Sequence, residues 1–385
     1  MEHEYLSAFG ILTGVLARFW PVWIALAIVL GASFAFRKRL GLYGELFGNP
    51  VGVVGVTICY FWLFTAIFAG TIAPFDPLGQ MLMMKDALPG AIETESGQAY
   101  LFGGDRLARD IFSRTIYGSQ IVLLIAPAAT GFALMVGTTL GLPAGYYGGR
   151  IDSFLSFLAN LVLAFPVILL FYLLVTPGIM ETPIPYAMAG LFFLFPIIFF
   201  ATLFYTRNKH RPGLLAIQLG LTFLIGGWIY AGLVFDADPL RLIRISPNEL
   251  NIFVAVVFAS SPGVFRIVRG LVMDIKTRDY VAAAQTRGET PWYIMLWEVL
   301  PNARGPLIVD ACLRIGYTTI LLGTLGYFGL GLSPESPDWG TAIKDASRLL
   351  RAYVHPALPP VIALMSFVLG LNLLADALRE QSLKD

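Results

Sequence analysis

Asp279–Asn302 reads DYVAAAQTRGETPWYIMLWEVLPN, a short polar island in an otherwise very apolar chain. Its alanine-rich first half, 280–286, favours a helix, and Gly288 stands where a helix would end in a left-handed residue. Thr290 and Pro291 then offer an N-cap and a first helical position, so a second short helix is expected, closed by Pro301. Ala282, Ala283 and Ala284 make a smooth surface with little side-chain entropy to lose, which lets another protein's groove approach the backbone. Trp292, Tyr293 and Trp297 are amphipathic rings of the kind that settle at a membrane–water boundary.

The chain on either side of the island is hydrophobic. Of 385 residues, 57% are hydrophobic and 13% charged, and the mean hydropathy is +0.73. A soluble domain carries about 25% charged residues, so this is an all-α integral membrane protein. Crossing a bilayer takes about 20 mostly apolar residues. Runs of that kind fall near 19–36, 51–73, 118–142, 153–175, 186–205, 214–235, 250–271, 306–330 and 357–378, which predicts nine spans. Basic residues cluster at Arg37–Lys38–Arg39, at Arg207, Lys209 and Arg211, and at Lys276, Arg278, Arg287 and Arg304. An even number of spans separates these clusters, so all three face the cytoplasm. The N-terminus is then outside, and the C-terminus, with Arg379 and Lys384, inside. Arg241 and Arg244 fall in an outer loop, against this trend. A net charge of +1 gives no reason to expect nucleic acid. Cys59 and Cys312 lie far apart in apolar runs, as small hydrophobes would, not as a disulfide or zinc set.

Further motifs sit at the ends of the spans. Gly103–Arg114, GGDRLARDIFSR, precedes the third span, and its alternating acids and arginines can lock a loop through charge-assisted hydrogen bonds. Asp105, Arg109, Asp110 and Arg114 are its clamp candidates, with Asp110 and Arg114 one helical turn apart. Gly145–Asp152, GYYGGRID, reads as a tight turn between spans, with Asp152 able to cap the next helix. Ala164-Phe165-Pro166 and Ser261-Pro262-Gly263 predict kinks. Asp310 and Arg314 form an i, i+4 pair early in the eighth span, either satisfying each other or lining a translocation path. Gly329-Leu330-Gly331 with Pro334, Pro337, Asp338, Trp339 and Gly340 follows that span, and the chain closes on NLLADALR, 372–379.

Taken together these motifs resemble the second permease subunit of dipeptide and oligopeptide ABC importers, in the family's order, over about 45–175 and 249–385. The island resembles the loop by which such permeases dock onto their ATPases, with the pattern Glu-Ala-Ala, Gly and later Leu-Pro. Ala282 occupies the glutamate position, and a glutamate that many relatives carry near Leu322 is missing. The clamp motif resembles the family's Gly-Thr-Asp-x-x-Gly-Arg-Asp-x-x-Ser-Arg signature. The resemblance implies ATPase docking through Tyr280, Ala282, Ala283, Ala284, Arg287, Gly288, Leu300 and Pro301, within a docking loop at 273–304. It implies a homologous second permease, two cytoplasmic ATPases that hold ATP and magnesium, an extracytoplasmic substrate-binding protein, and the inner membrane of a bacterium or archaeon. The chain itself is expected to bind no cofactor or metal and to catalyse nothing, since it has no G-x-x-x-x-G-K-[ST] loop and no H-E-x-x-H.

The expected organisation is a six-span permease core plus about three additional spans. Residues 1–44 hold an additional span and basic loop, 45–175 the first three core spans, 176–248 an inserted two-span hairpin, and 249–385 the last three core spans. An ion-gradient-driven transporter is the rival from another class, but it calls for intramembrane acids and inverted repeats, and Asp310 is nearly alone. Peptides, opines and chelated nickel are all cargoes compatible with the family.

Overall fold

The computed structural model describes residues 4–94, 96–180, 182–235, 237–238, 247–330, 333 and 335–382. Arg241, Arg244, Gly331, Pro334 and Lys384 lie outside the described residues. The all-α membrane architecture is borne out. Among the described residues, seven helices are long and apolar enough to cross a membrane, or up to nine if each of two bent pairs is one span. The chain divides into two compact units, Met1–Pro127 with Cys312–Asp385, and Ala128–Ala311.

In the first unit the N-terminal span is a bent pair, Ala8–Arg18 and Trp20–Ala35, with 53° between its halves. Phe19, Val22 and Leu26 pack on Ala69, Ile72, Phe112 and Ile116. Before the bend, Glu4 and Leu6 exchange backbone hydrogen bonds with Ile92 and Gly90, so the N-terminus lies beside the short ribbon Ala91–Ile92/Ala99–Tyr100. The helices Pro50–Ile67 and Leu358–Ser382 approach backbone to backbone. A Cβ on Gly55 would stand 2.7 Å from the Leu374 nitrogen, and one on Gly370 would stand 2.7 Å from Ile58 Cγ2. Without a hydrophobic drive between helices in lipid, such small-residue approaches carry the association.

The second unit uses the same device with a regular period. Gly137, Gly141 and Gly145, on the C-terminal half of Ile111–Tyr147, lie against Val264, Val268 and Val272 of Pro247–Ile275. A Cβ at each glycine would come within 2.5–2.8 Å of the facing valine. Lys276 Nζ donates to the Gly145 carbonyl at 2.8 Å, placing a cation on the open carbonyls at that helix's C-terminus. Gly148 (φ +67°) then turns the chain into Gly149–Leu163.

Asp152 does not cap this helix, contrary to its sequence reading. Gly148 occupies the cap position, and Asp152 instead pairs with Arg269, whose Nη2 donates to Oδ2 at 2.6 Å. A guanidinium across the groove is a stronger partner for a carboxylate than an exposed amide. Pro166 breaks the fourth span into Gly149–Leu163 and Val167–Leu174, bent by 75°. Pro262 is different: Pro247–Ile275 runs through it as one helix without a break, and the Ser261 hydroxyl donates to the Val257 carbonyl. The helices Ile184–Asn208 and Pro212–Phe235 form an antiparallel hairpin, and the second is exposed along its apolar length.

Candidate functional site

The island folds as two short helices. Asp279–Thr286 ends at Gly288 (φ +78°), where Gly288 N donates to Gln285 O at 2.9 Å and Glu289 N to Ala284 O at 3.2 Å. This pair of bonds is a Schellman stop, and it needs the left-handed residue that glycine supplies without strain. Thr290 caps the next helix by accepting from Tyr293 N at 3.4 Å, with Pro291 in its first turn.

Pro301 does not close that second helix. The chain passes through a π-helical turn, Ile294–Val299, and continues as Leu300–Asn302 with Pro301 inside. Proline disturbs ordinary i→i−4 pairing, and the wider turn already departs from it just before the ring. The Asn302 side chain donates to the Glu298 carbonyl at 2.6 Å.

The two faces of the first helix differ. Val281 and Ala284 are fully buried, in one core with Val264, Val268, Val272, Ile294, Met295 and Val299. Tyr280, Ala282, Ala283, Arg287 and Gly288 are exposed. Ala284 is thus a root of the loop, whereas the other two alanines are its surface. Leu300 is half-buried against the same core, and Pro301 is exposed. Arg287 reaches across the break to Glu298 at 2.7 Å, and Gln285 donates to the Tyr146 hydroxyl at 3.2 Å. Trp297 is not a free interfacial ring. Its indole N–H donates to Thr206 Oγ1 at 3.2 Å, and the Arg207 guanidinium lies over its ring, 4.2 Å from the centroid.

The motif ahead of the third span builds a different kind of site. Asp105 Oδ1 accepts from the backbone N–H of Leu107 and Arg109, at 2.8 and 2.9 Å, while Oδ2 pairs with Arg109 Nε at 2.7 Å. Arg109 Nη2 continues to Asp345 at 2.9 Å. Arg114 donates to the Ser336 carbonyl at 3.0 Å and lies 3.9 Å from Asp105. Arg109 and Arg114 are both 2% exposed, so these ions are held almost wholly by one another and by backbone. Asp110 is not Arg114's partner. It caps the Ile111–Tyr147 helix, with Oδ2 accepting from Ser113 N at 2.8 Å and Ser113 Oγ at 2.6 Å. Its Oδ1 is buried with no hydrogen-bond partner, and burial pushes the carboxyl up to about 6 against the Ser113 hydrogen bonds.

Ala108 adopts φ +62°, a left-handed backbone that favours glycine. Trp339 is fully buried, donates to the Thr115 carbonyl at 2.9 Å and meets the Trp62 ring edge-on at 5.0 Å between centroids. A Cβ on Gly118 would strike that indole at 2.5 Å. Asp338 caps Trp339–Ser347 by accepting from Thr341 N at 2.9 Å.

Asp310 and Arg314 lie one turn apart on Arg304–Phe328, both half-buried. Sequence reasoning missed Asp345, which stands 236 residues from its partner Arg109, and the pairing of Trp297 with Thr206 and Arg207.

The profile of the family described as "Binding-protein-dependent transport system inner membrane component" matches residues 214–382. The chain is 28% identical to a dipeptide transport system permease protein DppC of Haemophilus influenzae, over 86% of this chain and 90% of the relative. It is 29% identical to the di/tripeptide transport system permease protein DppC of Pseudomonas aeruginosa, over 90% and 93%. It is 26% identical to the oligopeptide transport system permease protein OppC of Bacillus subtilis, over 89% and 90%. These likenesses run through both the clamp and the island.

Proposed function

We propose that this chain, which belongs to the DppC/OppC-like permeases of binding-protein-dependent transport systems, forms one half of a peptide translocation pathway and takes its power from ATPases docked on 279–302. It is a multi-pass inner-membrane component. A homologous permease supplies the other half of the pathway, two cytoplasmic ATPases hold ATP and magnesium, and an extracytoplasmic binding protein delivers the cargo. This subunit binds no cofactor and catalyses no reaction of its own. The N-terminus is extracytoplasmic and the C-terminus cytoplasmic. Dipeptides and oligopeptides, the cargoes in the relatives' names, are the substrate class.

One observation carries the docking reading. The Asp279–Thr286 helix is rooted by Val281 and Ala284 in the core while its small-residue face, Ala282, Ala283 and Gly288, stands open. A surface of that build accepts a groove closely and passes displacement straight into the spans beneath. A lever of this kind is needed: swinging a two-state equilibrium from 1:99 to 99:1 takes about 5.5 kcal/mol of differential binding. The Asp105–Arg109–Asp345–Arg114 cluster serves as a rigid part against which the binding protein can seat.

Purification from detergent tests this. The unaltered chain is expected to bring down a second permease and soluble ATPases, and both Gly288→Arg and Ala283→Glu are expected to lose the ATPases while keeping the permease. Both positions are exposed, so neither change empties or overfills the core. ATPases that stay bound in both variants would move docking elsewhere.

A further inference from the structure

The hairpin formed by Ile184–Asn208 and Pro212–Phe235 is joined to the docking loop. Phe199 and Leu203 pack against the loop's core. One turn on, Thr206 is 7% exposed. Its hydroxyl proton goes back to the Thr202 carbonyl at 2.9 Å, leaving a lone pair aimed at the Trp297 N–H. Arg207 covers the face of the same indole. Trp297 is therefore held at its edge by a hydrogen bond and on its face by a cation, both from the hairpin, and it sits within the π-helical turn of the loop.

The hairpin's other attachment is away from the loop. Phe193 stacks against Phe132 and Phe253, at 5.1 and 5.6 Å between centroids, and Phe253 belongs to Pro247–Ile275. The hairpin is stiffened within itself. Asn208 donates to Gln218 at 2.8 Å beside the turn, and a Cβ on Gly226 would stand 2.9 Å from Ile197 Cγ1, so its two helices lie close. The docking loop thus reaches Pro247–Ile275 by two routes. One is direct, through Val281 and Ala284. The other runs from Trp297 through the hairpin to Phe253.

We infer that the hairpin is a transmission strut: Thr206 and Arg207 grip Trp297 so that displacement of the docking loop is delivered to the Pro247–Ile275 span as a rigid movement. Thr206, Arg207 and Trp297 are positioning residues. The inference rests on the docking reading above.

The test uses the full transporter complex in nanodiscs, following backbone hydrogen exchange with and without ATP. In the unaltered complex, ATP is expected to change exchange in both 279–302 and 264–275. In the Thr206→Val/Arg207→Ala double variant, ATPase co-purification and the change in 279–302 stay as they were. The change in 264–275 falls by about 2- to 5-fold, the factor that corresponds to a single ring–cation contact. Trp297→Ala gives the same loss, and adding it to the double variant takes away nothing more, because all three changes release the same indole from the hairpin. Arg207→Lys restores most of the response, since a cation remains over the ring. An unchanged ATP response in 264–275 overturns the strut, and so does loss of the ATPases from the double variant, which would make this contact part of docking itself. Retention of the ATPases by Gly288→Arg and Ala283→Glu removes the docking reading instead, so the two failures are distinct.

Discussion

The clamp ahead of the third span and the docking loop are both short polar segments next to helices, yet they are built in opposite ways. In the clamp the charges point inward and find one another: Asp105, Arg109 and Arg114 are buried, the half-buried Asp345 closes the set, and carbonyls and amides fill the remaining positions. In the docking loop the inward residues are apolar, Val281, Ala284 and Val299, and the outward face carries Ala282, Ala283 and Gly288 beside Tyr280 and Arg287. A buried ion cluster is rigid because loss of any member strands a charge. An apolar root tolerates displacement so long as it moves as a block. On the docking reading proposed above, the contrast separates a part that holds from a part that transmits.

The largest effect that would sharpen this contrast is expected in the clamp. Arg109→Ala removes the close partner of the buried Asp105 and is expected to cost about 3–5 kcal/mol of stability, read as an early loss of structure around 76–110 by limited proteolysis. A loss no larger than that of an exposed ion pair such as Arg287–Glu298, about 0–1 kcal/mol, would erase the distinction between the two regions.

Asp110 comes next, and its sign is definite. Its folded carboxyl titrates near 6, raised by burial from an ordinary value of 3.8. Between those two values the folded protein binds more protons than the unfolded chain, so stability falls as pH rises from about 4 to about 6 and is level above. Asp110→Asn keeps a capping oxygen and has no charge to bury. It is expected to flatten that slope, removing about 3 kcal/mol of pH-dependent change. Melting curves of both proteins between pH 4 and 7 decide it: an identical slope in the two excludes Asp110 as the source.

The smallest effect concerns Ala108. A left-handed backbone costs a non-glycine residue about 1–2 kcal/mol, and glycine's extra freedom in the unfolded chain takes back part of that. Ala108→Gly is expected to raise stability by about 1 kcal/mol or less. Equal or lower stability in a denaturant titration would mean that the lost methyl contact matters as much as the strain.

The sequence shows the spans well because a membrane helix has to be long and apolar throughout, so length alone finds it. The runs at 186–205 and 250–271 correspond to Ile184–Asn208 and Pro247–Ile275. The Gly288 stop and the Thr290 cap are equally local and equally legible. Pairings across the chain are not. Nothing near Arg109 announces Asp345, and Asp152 has a cap's position but an arginine's company. Three successive alanines look alike on paper, and only the phase of the helix on its core sends Ala284 in and Ala283 out. Pro166 and Pro262 likewise share a signal, but only the first breaks its helix.

The three glycines at 137, 141 and 145 act as notches for the teeth Val264, Val268 and Val272. A geared pair cannot creep. To slide past one another the two helices would have to leave all three notches together and re-engage four residues on, a step of about 6 Å. Small pushes are therefore shared between both helices with no slippage lost along the way, and the C-terminal half of Ile111–Tyr147 travels with Pro247–Ile275 as one shaft.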